Sequence, residues 1–424
     1  MENCYRIYNL YPKLVGSIDK WIKELPRIKK MEFDYIYVNP FHLTGQSNSD
    51  YSVKDYYRYN PLYLPKQGLS VEEEKALGDE LIAKFCSEAK KKKMSVMMDL
   101  VINHTATDSP LVLEHNNWYC HDASGHILNP FCMDGDTKVV WEDLAEIDNL
   151  HSPDRDNLWK YWLDMILHFC KLGIRGFRCD AVFMIPKELW CYLITNVKKE
   201  YPDTFFLGET LGCGLEKTIT TLNAGFDMAM TALKWWDLQS PWFIEQYNQT
   251  IDHGMTLSFP ENHDTVRCAS ENNGNSNLAL MRYIIASYIS KATAITTGFE
   301  YGYRRKIDVC NTNPSWNEEP YYDLSSAIAN VNKVKSSYKV LNNDGKIYQF
   351  VCNDAICIVK SYEEESLLLV INNTNHELDF VFNPYDILHK GDLVDVSPVG
   401  MKVDVTYNTK LSLLPGDVKV IIGK

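Results

Sequence analysis

The feature that most constrains the fold is a regular alternation of strand-like and helix-like segments. Short apolar runs such as CYRIYNLY (4–11) are each followed by an amphipathic segment such as SIDKWIKELPRIKK (17–30). The pair recurs about eight times at spacings of roughly 30 residues, which is the pattern of a parallel (β/α)8 TIM barrel. A doubly wound open sheet also alternates, but it usually has fewer strands and a glycine-rich turn after the first strand, which this sequence lacks. We therefore predict an α/β barrel over residues 1–103 and 155–339.

Two segments interrupt this alternation. Residues 104–154 follow the third predicted strand and show no strong periodicity. Because a loop of that length in a compact domain usually has a function, we predict a small inserted subdomain there. Residues 340–424 contain short alternating apolar runs separated by turn sequences such as NNDG and LPGD. This pattern predicts a C-terminal antiparallel β-sandwich domain.

Charge and composition restrict the partners. The 424-residue chain has a formal net charge of −13. This excess of acidic groups disfavours nucleic acid and anionic membranes as partners, but it does not affect neutral ligands such as sugars. We see no apolar run near the roughly 18 residues of a membrane helix and no secretory signal, so we expect a cytoplasmic protein. The twelve cysteines show no CxxC spacing, so we expect packed reduced thiols, with a zinc site from distant cysteines as the alternative. The sequence does not predict an oligomeric state.

Acidic residues stand at the ends of several predicted strands. In a (β/α)8 barrel the carboxyl ends of the strands meet at one mouth, where active sites lie. Arg178 and Asp180 are two positions apart in an apolar strand, so they face the same side, and a buried pair of this kind is costly unless it is matched. The candidate residues at the strand ends are Asp99, His104, Arg178, Asp180, Glu209, His263 and Asp264.

Paired carboxyl groups at one mouth are suited to cleavage of a glycosidic bond. A retaining mechanism needs an ionised carboxylate nucleophile beside a protonated carboxylic acid. Asp180 has the cation Arg178 beside it, which favours the ionised form. Glu209 follows an apolar strand and lies near other carboxylates, so we expect a raised pKa there and predict that it is the acid. Asp264 would bind sugar hydroxyls. The alternative is a purely structural Arg178–Asp180 ion pair.

Several short motifs resemble the α-amylase superfamily, glycoside hydrolase family 13. Four of them occur in the family's order, and two further segments are similar to its tyrosine-containing loop and to the motif after its inserted subdomain. The motifs are DLVINHT (99–105), GFRCDAVF (176–183), GET (208–210) and FPENHDT (259–265), with SDYSVKDYYRYNP (49–61) and WEDLAEIDN (141–149) as the further two.

The resemblance implies a role for each matching residue. Asp180 would form a covalent glycosyl-enzyme, Glu209 would act as acid and then base, and Asp264 would stabilise the transition state. Arg178 would orient Asp180, and Asp99 would brace Arg178 or the sugar pocket. The remaining implied sugar contacts are His104 and His263 to hydroxyls and Tyr51 stacked beneath the ring.

The resemblance leaves the metal requirement open. Asn103 matches the asparagine that binds calcium in many family members, so a calcium ion is an open expectation, although the chemistry itself requires no cofactor. The sequence also departs from many starch hydrolases, in which a Lys-His pair follows the nucleophile. Here Phe183 and Met184 stand at those positions, which predicts a more apolar leaving-group side.

The function that these motifs favour is retaining hydrolysis of α-1,4-linked glucans or malto-oligosaccharides. The first alternative is transglycosylation at the same site, in which a sugar hydroxyl replaces water as the acceptor. A second alternative is a non-catalytic barrel that binds carbohydrate or a protein. Such a binder is expected to have lost one of the three carboxylates, and Asp180, Glu209 and Asp264 are all present.

Overall fold

A closed parallel barrel forms the centre of the molecule and confirms the predicted fold class. The computed structural model describes residues 4–134 and 137–424. Within them, eight strands pair in chain order and the last pairs with the first. The strands are β1 (Tyr5–Leu10), β2 (Tyr35–Val38), β3 (Ser95–Leu100), β4 (Gly176–Cys179), β5 (Phe205–Gly208), β6 (Met228–Met230), β7 (Met255–Ser258) and β8 (Ala292–Thr296).

One longer helix follows each barrel strand. Helix boundaries follow local chemistry: α2 begins at a capping box in which Ser70 and Glu73 bond each other's backbone N–H, and α3 ends at Gly173 in the left-handed conformation (φ 113°). The helices are α1 (Ile18–Lys30), α2 (Val71–Lys91), α3 (Arg155–Leu172), α4 (Lys187–Glu200), α5 (Leu215–Leu222), α6 (Pro241–Thr250), α7 (Ser276–Ile289) and α8 (Ser325–Ser337). Shorter helices span Pro12–Val15, Pro110–Glu114, Cys268–Glu271, Lys339–Asn342 and Pro384–Leu388. No described helix combines the length and the apolar character that a bilayer crossing requires.

The barrel interior is packed with apolar side chains. Ile7, Met97, Leu207, Met228 and Leu257 belong to one buried cluster contributed by different strands. A dense interior of this kind resists deformation, because side chains in a protein core have few voids to move into. Polar groups at the carboxyl ends of the strands therefore stand on a rigid base.

Two insertions carry small antiparallel sheets. The loop after β2 contains a strand pair, His42–Thr44 with Val53–Tyr59. Within the insertion predicted at 104–154, His104–Ala106 pairs with Leu144–Glu146, and Phe131–Asp134 pairs with Thr137–Val140. Both insertions follow the carboxyl ends of barrel strands, so they lie beside the mouth of the barrel.

The C-terminal region is built from two antiparallel sheets, as the sequence predicts. Cys357, Val370, Leu378, Leu411 and Ile421 form a buried cluster that joins the two sheets. The five-stranded sheet has the order Ile347–Cys352, Ala355–Tyr362, Glu365–Ile371, Val418–Gly423 and Leu393–Asp395, and the second sheet pairs Leu378–Phe382 with Thr409–Leu413. The boundary that the sequence places at residue 339 falls at the first residue of the short helix Lys339–Asn342.

A buried lysine fastens this region to the barrel, and we expect its removal to destabilise the protein. Lys360 is fully buried, and its Nζ donates to the carbonyl oxygens of Tyr288, Ile289 (2.9 Å) and Asn343 (2.9 Å). Lys360→Met leaves these buried acceptors without a donor, so the free energy of unfolding should fall by about 3 kcal/mol. Urea denaturation measures this change, with the exposed Lys402→Met as control. Equal denaturation midpoints for Lys360→Met and wild type would contradict the assigned role.

Candidate active site

One guanidinium joins carboxylates from three neighbouring strands. Arg178 on β4 lies opposite Asp99 on β3 in the strand register. Its Nη1 donates to both carboxylate oxygens of Asp99 (2.9 and 3.1 Å) and to Asp180 Oδ1 (2.6 Å). Its Nη2 lies 3.8 Å from Glu209 Oε2. Arg178 is 1% exposed, so this charge is offset by the carboxylates around it and not by water.

Asp180 and Glu209 each continue the backbone hydrogen bonding of the barrel sheet by one residue. The N–H of Asp180, directly after β4, donates to the carbonyl of Leu100, and the N–H of Glu209, directly after β5, donates to the carbonyl of Cys179 (both 3.0 Å). The two side chains are 15% and 14% exposed. Their backbone positions are therefore fixed by the sheet, while their carboxyl groups remain open to the mouth of the barrel.

The environment of Glu209 favours the protonated acid. Burial raises the pKa of Glu209 to about 7, and the negative charges of Asp180 and Asp264 act in the same direction. The Arg178 guanidinium and the N–H of Ala181 oppose this rise in pKa. A carboxylic acid with a pKa near 7 holds a proton near neutral pH and can deliver it to a leaving group.

Ala181 links the two carboxyl groups through a strained backbone. It adopts a left-handed conformation (φ 41°, ψ 42°), which costs a residue with a Cβ about 1–2 kcal/mol. In this conformation its N–H donates to Glu209 Oε2 over 2.9 Å. The chain thus turns directly after Asp180 and presents a donor to Glu209.

Two substitutions at Ala181 test whether its left-handed backbone conformation affects stability and catalysis. Ala181→Gly favours the left-handed conformation, so stability should rise by up to about 1 kcal/mol and kcat should stay within about twofold. Ala181→Val disfavours this conformation, so stability should fall by about 1–2 kcal/mol and kcat should fall with it. Thermal unfolding measures the stability of each variant, and initial rates measure its kcat. Equal stability and equal kcat for the two variants would show that the turn does not position Glu209.

Asp264 is connected to this cluster through an aromatic pair. The Tyr51 hydroxyl lies 2.7 Å from Asp99 Oδ2 and 2.6 Å from His263 Nε2, which lies 3.0 Å from Asp264 Oδ2. The rings of Tyr51 and His263 stack with centroids 5.5 Å apart. Burial and the charge of Arg178 lower the pKa of His263 to about 3, so the imidazole is neutral. Because Tyr51 has one proton to donate and Asp99 accepts it, His263 Nε2 carries the ring proton.

The predicted sugar-binding residues lie at different depths. Asp264 is 54% exposed at the mouth, and Tyr51 is half-buried. Asp99 is fully buried against Arg178, so of its two predicted roles the geometry favours the brace. His104 and His263 are 6% and 2% exposed. His104 Nε2 lies 3.2 Å from the Tyr51 carbonyl oxygen, so both histidines support Tyr51, and their contacts to sugar hydroxyls stay predictions.

Sequence reasoning missed three residues behind this cluster. The Tyr37 hydroxyl donates to Asp99 Oδ2 (2.5 Å), and the Asn39 amide donates to the hydroxyls of Tyr37 (3.2 Å) and Tyr51 (3.1 Å). Asn39 in turn accepts a hydrogen bond from Asn9 (2.7 Å). Tyr37 and Asn39 at the end of β2 are two positions apart, as Arg178 and Asp180 are, so they face the same side. This spacing could have identified them from the sequence.

The calcium ion expected at Asn103 stays a prediction. The amide nitrogen of Asn103 lies 4.0 Å from the thioether sulfur of Met184, whereas Ca²⁺ takes six to eight oxygen ligands. Residues 4–134 and 137–424 contain no group of three or more His, Cys, Asp or Glu side chains placed to hold a metal.

Comparison with known proteins finds similarity to amylases and to enzymes named as glucan- or maltose-transferring. Residues 2–157 match the family model of the glycogen debranching enzyme, glucanotransferase domain. The alpha-1,4-glucan:maltose-1-phosphate maltosyltransferase of Burkholderia pseudomallei is 22% identical over 386 residues, which is 86% of this chain and 33% of that protein. Alpha-amylase 2 of Dictyoglomus thermophilum is 22% identical over 412 residues, covering 91% and 69% of the two chains. The chain therefore spans between about a third and about two thirds of the length of these relatives.

Solved structures share the whole architecture. An alpha-amylase from Lactobacillus plantarum superposes with a TM-score of 0.76 at 22% identity, and the match covers 99% of both chains. The likeness extends over the barrel, its insertions and the C-terminal sheets, and it confirms the fold.

Proposed function

We propose that the chain is a member of the α-amylase superfamily and a retaining enzyme that cleaves α-1,4-glucosidic bonds and transfers the glycosyl group to a second sugar. The observation that carries this proposal is the shared guanidinium: Arg178 bonds Asp180 and lies 3.8 Å from Glu209, whose pKa is about 7. The pair thus supplies a carboxyl group held by a cation beside a protonated acid, the arrangement that a retaining mechanism uses.

In the first step, Asp180 attacks the anomeric carbon of the sugar. The bond from that carbon to the leaving oxygen breaks, and Glu209 gives its proton to that oxygen. Asp264, at the exposed mouth, accepts hydrogen bonds from sugar hydroxyls as positive charge develops on the ring. Arg178 keeps its bonds to Asp99 and Asp180 throughout, so the carboxylate is held in place without a costly reorganisation.

In the second step, an acceptor hydroxyl replaces the leaving group. Glu209, now ionised, takes the proton of that hydroxyl, and the freed oxygen attacks the anomeric carbon and displaces Asp180. Water in this step gives hydrolysis, and a sugar hydroxyl gives transfer. Three observations favour transfer: the glucanotransferase model that matches residues 2–157, the maltosyltransferases among the relatives, and the exposed Met184 in the turn after Asp180.

Product analysis with maltoheptaose tests the proposal. A transferase forms chains longer and shorter than seven sugars while the number of reducing ends stays constant. Formation of shorter chains alone, with a rise in reducing ends, would replace transfer by hydrolysis. An unchanged substrate pool after prolonged incubation would contradict both activities. We retain α-glucans or malto-oligosaccharides as the proposed substrate class and the cytoplasm as the proposed location.

A further inference from the structure

An exposed tryptophan stands at the carboxyl end of β6. Trp235 ends the short 3₁₀ turn Leu233–Trp235, which begins three residues after the last residue of β6. Trp235 is 54% exposed, whereas the next residue, Trp236, is 7% exposed and packs against Phe243. Exposure alone does not identify a ligand site, because single exposed apolar side chains are common on proteins. The position of this one relative to the catalytic carboxyl groups is therefore decisive.

The chain that leads into this turn is bonded to the ends of the two neighbouring strands. The hydroxyl of Thr210, which directly follows Glu209, donates to the carbonyl oxygen of Met230, the last residue of β6 (2.8 Å). The N–H of Thr231 donates to the carbonyl oxygen of Leu257 in β7 (2.9 Å). The turn begins two residues after Thr231 and rises only about 2 Å per residue, so it lies at the mouth of the barrel beside the segment that carries Glu209.

The indole of Trp235 is supported by a residue of the barrel core. Its ring contacts that of Phe259 edge to face, with centroids 6.2 Å apart and an angle of 89° between the rings. Phe259 directly follows β7, is 1% exposed and belongs to the buried cluster of the barrel interior, against which Leu211 also packs. Leu211 lies two residues after Glu209, and Asp264 lies five residues after Phe259. The support of Trp235 is thus continuous with the segments that carry two of the three carboxyl groups.

Hydrogen bonds fix both neighbours of Trp235. Lys234 Nζ donates to Glu271 Oε2 (2.8 Å), and Trp236 Nε1 donates to Gln246 Oε1 (2.9 Å). A preorganised aromatic face loses little conformational freedom when a ligand packs on it, which favours binding. A sugar ring suits such a face, because its C–H groups are apolar while its hydroxyls at the rim bind polar groups.

The order of the strands places Trp235 on the leaving-group side of the scissile bond. Asp180 follows β4, Glu209 follows β5 and Trp235 follows β6, and these three strands are neighbours in this order. In the proposed mechanism Asp180 bonds the anomeric carbon of the donor sugar, and Glu209 meets the oxygen that joins this carbon to the leaving group. A sugar beyond that oxygen continues away from Asp180, towards the end of β6.

We propose that Trp235 stacks on a glucosyl unit of the leaving group in the first step and of the acceptor in the second. The inference rests on the proposed function, because it assigns a residue to one side of that enzyme's site. The indole carries no charge and presents a flat apolar face, so the ligand that it fits is a neutral α-glucan. By holding a chain beyond the cleaved bond, the contact favours transfer to a sugar over reaction with water.

Two substrates that differ in their leaving group test this contact. The leaving group of maltoheptaose contains sugars that can reach Trp235, whereas that of α-maltosyl fluoride is a single ion. Trp235→Ala should lower kcat/KM for maltoheptaose about tenfold and leave kcat/KM for α-maltosyl fluoride within about twofold, because this ratio reports transition-state stabilisation in the first step. With α-maltosyl fluoride as donor, the concentration of maltotetraose that half-saturates transfer should rise about tenfold.

Two further variants separate stacking from a loss of structure. Trp235→Phe keeps an aromatic face and should hold kcat/KM for maltoheptaose within about threefold of the wild-type value. Tyr407→Ala removes an aromatic side chain that is 67% exposed in the C-terminal region, and it should change none of the three values. An unchanged rate with α-maltosyl fluoride shows that the catalytic carboxyl groups of Trp235→Ala are intact, since the same groups process both substrates.

Three results would overturn the assignment. They are an unchanged kcat/KM for maltoheptaose in Trp235→Ala, an equal loss with maltoheptaose and α-maltosyl fluoride, and a Trp235→Phe variant as slow as Trp235→Ala. Failure of the proposed function would appear separately, as a wild-type enzyme that acts on neither substrate.

Discussion

Replacing Asp180 by asparagine should lower the rate of glycosyl transfer from maltoheptaose by roughly 10⁴-fold, because the amide cannot form the covalent glycosyl-enzyme. The substitution keeps the shape of the side chain and an oxygen that can accept a hydrogen bond from Arg178. In the wild type, Arg178 Nη1 donates to Asp180 Oδ1 over 2.6 Å. Binding of maltoheptaose should therefore stay within a few-fold of the wild-type value. Initial rates and calorimetric titration measure the two quantities separately.

A matched aspartate provides the control for this substitution. Asp156, whose side chain is 93% exposed at the start of α3, should tolerate replacement by asparagine without a change in rate. If Asp180→Asn retained more than about a tenth of the wild-type rate, Asp180 would not be the nucleophile. If both the rate and the binding were lost while the Asp156 variant stayed active, Asp180 would serve mainly to build the site.

Glu209→Gln should reduce the rate of transfer by about 10²–10⁴-fold and remove the alkaline limb of the pH profile. In the wild type this limb should lie near the pKa of about 7, which burial and the nearby carboxylates produce. Glutamine keeps the size of the side chain but neither donates a proton to the leaving group nor accepts one from the acceptor hydroxyl. The control is Glu188→Gln, an exposed position at the start of α4, which should keep both rate and profile.

The same substitution should raise stability at alkaline pH. The pKa of Glu209 is higher in the folded protein than its ordinary value of 4.5, so the folded state binds more protons between about pH 4.5 and 7. Wild-type stability from this group therefore falls as the pH rises through that window. Glu209→Gln carries no buried charge and should be more stable than wild type at pH 8, by about 2 kcal/mol, and nearly equal at pH 5. Urea denaturation at the two pH values measures the difference, and a variant less stable at pH 8 would contradict the protonated assignment.

The barrel was predictable because its signal is repeated. The strand–helix unit recurs about eight times, and its first apolar run, residues 4–11, contains the observed strand Tyr5–Leu10. The shared face of Arg178 and Asp180 was predictable for the same reason, since the side-chain period of a strand is two. The convergence of Asp99, Asp180 and Glu209 followed from the rule that parallel strands end at one mouth.

Other features depend on contacts that a linear pattern does not contain. The strand pair His42–Thr44 with Val53–Tyr59 has register irregularities, so its side chains do not alternate cleanly. The left-handed turn at Ala181 has no local signature, because alanine rarely adopts that conformation and is held there by its surroundings. Tyr37 and Asn39 act through hydrogen bonds to residues on other elements. His104 and His263 are buried and both contact Tyr51, which lies on a different segment of the chain.

The most direct test of the account is to trap the covalent intermediate. Glu209→Gln incubated with α-maltosyl fluoride should accumulate a glycosyl-enzyme, because fluoride leaves without an acid and the missing base slows the second step. Proteolysis and mass spectrometry should then locate one maltosyl group on the peptide that contains Asp180. A maltosyl group on Asp264 or another residue, or fluoride release with no labelled peptide, would contradict the two-step mechanism at Asp180.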